Sequence, residues 1–187
     1  MGIDFTALLD HSLSWDELYR LPELLDARFG CPAAALDAYL DLDDAPRPWR
    51  WDRDPRYSNV AEELFEEGHL SLSGPFGFSA TVFRTGLELT HPARWWAFVF
   101  EPHVREGLRE AARAMATILR STTIIYAPDS SHPTSGGSDL LFDGGSFGDV
   151  LRWFAERIGP PALGPQELAG AEEETSELGY LVERVSG

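Results

Sequence analysis

Asp129, His132 and Asp143 lie close together in the segment IIYAPDSSHPTSGGSDLLFDGGSFGDVLRWF, residues 124–154. A histidine titrates near neutrality and works as a general base, and a neighbouring carboxylate fixes its tautomer. With such a base, Ser130 or Ser131 becomes a candidate nucleophile; alternatively, Asp129, His132 and Asp143 meet around a divalent ion. His91, at the end of a predicted strand, is the second histidine that can converge on His132. These four residues define a hydrolase or metal-dependent reading. No motif backs it: the chain has no nucleophile elbow, no HExxH pair and no EF-hand spacing, and the glycines of residues 136–148 lack the dinucleotide-binding order. The simpler reading makes residues 126–149 a loop, in which Asp, Ser, Pro and Gly form turns and the Gly136-Gly137 and Gly144-Gly145 pairs allow positive φ. Leu140, Leu141 and Phe142 would then dip into the core, and Asp143 and Ser146 would serve the start of the next helix.

The elements around this segment follow from periodicity. SLSWDELYRLPELLDARFG carries a capping box, Ser14 with Glu17, and helical spacing of Leu18, Leu21 and Leu25. CPAAALDAYLDLDD restarts a helix, so residues 1–44 read as a helical N-terminal region. Residues 45–57, APRPWRWDRDPRY, form an ordered Arg/Trp loop whose tryptophans pack on the domain while its arginines pair with carboxylates. After a short helix near Val60 and Leu64 the period becomes two: Leu70 and Leu72 oppose Ser71 and Ser73, Phe78, Ala80 and Val82 share a face, and Leu87, Leu89 and His91 share another. The run holding Trp95, Trp96, Phe98 and Phe100 is apolar on both sides and reads as a covered fourth strand. Residues 102–120 form an amphipathic helix with Arg105, Arg109 and Arg113 on one stripe, ion-paired locally with Glu106 and Glu110. A fifth strand at residues 121–128, a helix after Ser146, a linker from residue 160 and an acidic segment, helix or strand, complete the chain.

The predicted fold is therefore α+β: one domain over residues 1–187, an antiparallel meander of four to five strands, and helices packed mainly on one face.

Charge separates the functional classes. The 187 residues carry 31 acidic against 15 basic side chains, a formal net charge of −16. Nucleic-acid binding depends on neutralising phosphates, so this field disfavours it and favours a basic protein partner. All basic residues are arginine, which excludes Schiff-base chemistry and a P-loop lysine and resembles the composition of a GC-rich bacterial genome. Cys31 is the only cysteine, so neither an internal disulfide nor a multi-cysteine metal site can form. With no signal-like start and no apolar run of spanning length, the expectation is a cytoplasmic protein with no membrane partner and no cofactor.

Two function classes follow. One is an acidic protein-binding protein, in concrete form an immunity-type inhibitor of a basic partner such as a nuclease toxin. Trp49 and Trp51 would be its anchors and Asp41, Asp43 and Asp44 its acidic rim. The other is the enzyme built on Asp129, His132, Asp143 and His91.

Overall fold

The computed structural model describes residues 4–30, 36, 48–129, 132–170 and 179–185. Cys31 and the expected helix over residues 31–44 lie outside them, apart from Leu36. The architecture is α+β, built on an open antiparallel sheet of seven strands in the order β2-β3-β4-β5-β1-β6-β7. The strands are β1 (Asp4–Asp10), β2 (Arg50–Trp51), β3 (His69–Ser73), β4 (Ser79–Phe83), β5 (Gly86–Arg94), β6 (Thr123–Pro128) and β7 (Leu181–Arg184). The described helices are α1 (Trp15–Tyr19), α2 (Leu21–Arg28), α3 (Val60–Glu67), α4 (Trp95–Phe100), α5 (Pro102–Leu119), α6 (His132–Phe142), α7 (Phe147–Arg157) and α8 (Pro165–Gly170).

The meander of β3, β4 and β5 forms as its alternation predicts. Four to five strands is an undercount, and the expected helical N-terminal region needs correcting: DFTALLD is a strand, and it sits in the middle of the sheet. β1 pairs with β5 from Leu9↔Leu87 to Phe5↔His91, and with β6 from Leu9↔Ile124 to Phe5↔Pro128. Five consecutive buried residues, Phe5 to Leu9, are what a strand covered on both faces requires.

The apolar run Trp95–Phe100 is a helix, not a fourth strand. Trp95, Ala97, Phe98 and Val99 are buried, whereas Trp96 and Phe100, one turn apart, face solvent with their rings 5.5 Å apart. The helix at 102–119 forms as predicted and buries its Val104, Leu108, Ala111 and Met115 stripe. The undecided C-terminal segment supplies an edge strand, β7, beside β6.

Two apolar clusters lie on opposite faces of the sheet. Phe5, Ala7 and Leu9 of β1 join Leu70, Leu87 and Leu89 and the buried sides of α1 to α5. Leu8, Ile125 and Ala127 point the other way, against Leu141 of α6 and Val150 and Phe154 of α7. Most helices thus line the first face, and the α6–α7 pair covers the β1–β6 part of the second.

Candidate functional site

The segment expected to be a loop contains α6, an eleven-residue helix. Its glycine pair is the reason it escapes notice. Gly136 and Gly137 do not adopt positive φ; they are packing positions. A Cβ on Gly136 would stand 2.5 Å from the Trp153 ring, and one on Gly137 would stand 2.7 Å from Phe154. Gly144, by contrast, takes φ +81 just after the helix, as the turn reading expects.

A helix of this length is about 16 Å long. It therefore holds His132, its first residue, apart from Asp143, which follows its last. Asp129 precedes the helix and serves the backbone: its amide donates to Asp4 O at 2.9 Å, and its Oδ1 accepts from the Asp4 amide at 3.0 Å. Asp143 is exposed, and its amide donates to the Asp139 carbonyl at 2.9 Å. The His132 side chain, Ser130 and Ser131 lie outside the described residues.

His91 belongs to the opposite face. Its Nδ1 accepts from the Ala93 amide at 2.9 Å, so its Nε2 must carry the proton donated to Phe76 O at 3.1 Å. Burial pushes its pKa down to about 4, and protonating Nδ1 would set two donors against each other. His91 is a neutral structural histidine beneath the Phe78 ring, 4.5 Å away, and it does not join α6.

The side chains that do meet beneath α6, Ser138 and Glu88, belong to no catalytic or binding motif. Ser138 donates to the Glu88 carboxyl at 3.0 Å. Burial, and secondarily the charge of Asp129, raise the Glu88 pKa, while the serine bond opposes this. On the same sheet face, Thr6 is fully buried and its hydroxyl has no partner among the described residues. The sequence carries no signal for this pair: Glu88 has the parity opposite to Leu87 and Leu89, the ordinary pattern of a strand with one face to water, and the glycines of α6 conceal the helix that covers it. Among the described residues no group of three or more His, Cys, Asp or Glu side chains is placed to hold a metal ion.

The expected aromatic anchors turn inward. Trp49 is only 3% exposed; its ring packs edge-on against Phe29 and occupies the space where a side chain on Gly74 would stand. It cannot present a contact surface without leaving the core. Trp51 is half-buried, packs against the same cluster and donates from Nε1 to Tyr19 O at 3.4 Å. Asp41, Asp43 and Asp44 lie outside the described residues. Aromatic side chains that do face solvent include Trp15 and Tyr19, one turn apart on α1 and 54% and 56% exposed.

Several arginines are engaged internally. Arg53 reaches Glu63, Arg56 bridges Asp54 and Glu67, Arg94 meets Asp4, and Arg120 meets Glu17. The helical stripe does more than pair locally: Arg109 lies 3.7 Å from Glu106, yet it and Arg113 converge on Glu183 of β7 at 2.8 and 2.6 Å. Tyr126 donates to the same carboxylate at 3.0 Å. Its burial and the Glu183 charge raise its pKa far above the usual phenol range.

No protein-family model matches this chain, and no curated protein or solved structure matches it. Among the described residues, no helix is long and apolar enough to cross a membrane.

Proposed function

We propose that the chain is a protein-binding protein for a basic partner, acting in the cytoplasm in the manner of an immunity-type inhibitor of a nuclease toxin. The observation that carries this reading is the disposition of charge. The protein has an acidic excess of 16, and its arginines Arg53, Arg56, Arg94, Arg109, Arg113 and Arg120 are already paired with its own carboxylates. Exposed acids such as Glu66, Glu110, Asp139, Asp143 and Glu156 are what an approaching molecule meets. Such a field speeds encounter with a cationic protein and opposes a polyphosphate chain. The enzyme reading lacks comparable support, since α6 separates the residues on which it depends.

The test is capture of the tagged protein's partners at low and high salt, with mass-spectrometric identification. A stoichiometric basic protein, lost as salt rises, is the expected result. Capture of nothing, or of a partner indifferent to salt, would end the electrostatic reading.

A further inference from the structure

Among the described residues, every arginine but one pairs with a carboxylate, stands over an aromatic ring, or donates to a backbone or hydroxyl oxygen. The exception is Arg28, in the last turn of α2, whose guanidinium makes no hydrogen bond, ion pair or ring contact. In a chain with 31 acidic side chains, a cation left without a partner is the unusual one.

Arg28 borders a cleft of about 280 Å³ between α1, α2 and the C-terminal end of α5. Arg20, Leu24 and Arg28 also line it, and their spacing of four residues puts them on one stripe, with Leu24 between the two guanidiniums. Leu13, Leu24 and Ile118 supply the apolar surface, and the first two pack on the core while staying only half-buried. The remaining charges are mostly accounted for. Glu17 and Arg120 neutralise each other, and Glu17 also closes the capping box with Ser14. Arg20 lies 3.7 Å from Glu23, with both side chains well exposed. Asp16 belongs to the first turn of α1, where exposed amides favour a carboxylate. Arg28 stands at the far end of the stripe, two helical turns beyond Arg20.

Size and lining define what such a cleft can hold. Small-molecule sites span about 300–1,000 Å³ and combine an apolar lining with a few polar groups. This cleft lies at the lower end, so its occupant is small. A free guanidinium presents a planar fork of donors that matches a carboxylate. The net charge of −16 opposes a multiply charged anion far more than a singly charged one. We propose that the cleft binds a small monocarboxylic acid with an apolar body, its carboxylate on Arg28 and its body along Leu24, Leu13 and Ile118. The inference goes beyond the basic-partner reading and does not depend on it, since its supports are an unpaired cation and an apolar floor.

Octanoate serves as the probe, in an amide NMR titration of the intact protein. Saturable shifts centred on residues 13–28 and 117–120 are expected. Arg28→Gln removes a charge that has no partner within the fold, so thermal melts should show the fold kept, while octanoate affinity falls about fivefold or more. Arg157→Gln, on α7 across the sheet, changes net charge equally and should alter affinity less than about twofold. Acetate, which has the carboxylate but no body, should bind at least about tenfold more weakly than octanoate. Octanol, which has the body but no charge, should bind at least about fivefold more weakly. The assignment would be overturned by an absence of saturable shifts, or by shifts led by the exposed Trp96 and Phe100 instead of the cleft. Undiminished affinity in Arg28→Gln, or equal affinity for acetate or octanol, would overturn it as well. None of these results bears on the salt-dependent capture of a basic protein, so the two readings fail separately.

Discussion

Ser138 on α6 and Glu88 on β5 are joined by a 3.0 Å hydrogen bond across fifty residues of sequence, and this bond fastens the helix to the sheet face it covers. The carboxyl is partly shielded from water and its pKa is raised, so the ionised form is disfavoured in the fold. A group whose folded pKa is raised stabilises below its unfolded pKa, and that contribution is lost as pH rises through the folded value. Glu88→Gln should therefore raise the melting temperature at pH 8 and give no gain at pH 3. Equal effects at the two pH values would show that Glu88 ionises freely in the folded protein.

His91 has the opposite sign. Its folded pKa, about 4, lies below the ordinary value of 6.5, so its contribution is present above 6.5 and lost as pH falls toward 4. The shift corresponds to about 3 kcal/mol, an order-of-magnitude figure. Urea unfolding of wild type across pH 7 to 4 should show this loss. His91→Leu, less stable at neutral pH because Phe76 O and the Ala93 amide lose their partner, should show a shallower slope over the same interval. A slope unchanged in that variant would move the titration to other groups.

Gly137 sets two effects against each other. Alanine is favoured over glycine in a helix interior by about 1 kcal/mol. Here the added Cβ would meet Phe154 at 2.7 Å, Val150 at 3.4 Å and Leu8 at 3.5 Å, all in a buried cluster. Overpacking of this kind costs about 1–3 kcal/mol and should win, so Gly137→Ala destabilises. A stabilised Gly137→Ala variant in chemical denaturation would mean that α6 stands further from α7 than described.

Local signals were legible where one side of an element faces water. The Ser14–Glu17 capping box closes in both directions, as does the one between Ser146 and Asp149. The parity of β3 and β5 correctly put His91 among packed residues. Legibility failed where burial removes periodicity. DFTALLD and WWAFVF are both short apolar runs; the first is a strand between two strands, the second a helix beside α5, and sequence spacing alone does not choose. α6 was hidden because glycines that usually mark turns here permit close helix packing. The candidate site shared that fate: Asp129 and Asp143 looked close because the helix between them was unseen. The inward turn of Trp49 depends on Gly74, a contact between distant positions that no local pattern records.

The position of β1 has a consequence for how the chain assembles. This strand comes first in chain order, yet it is the seam of the sheet, and its hydrogen-bonding partners arrive only at residues 86–94 and 123–128. β3, β4 and β5 can form a hairpin stack of near neighbours, but the Leu8 side of β1 has no cover until α6 and α7 pack on it. Both pairings of β1 are thus long-range closures, which are slow relative to local ones. During them, an apolar strand with both edges unpaired is available to whatever else can pair with it.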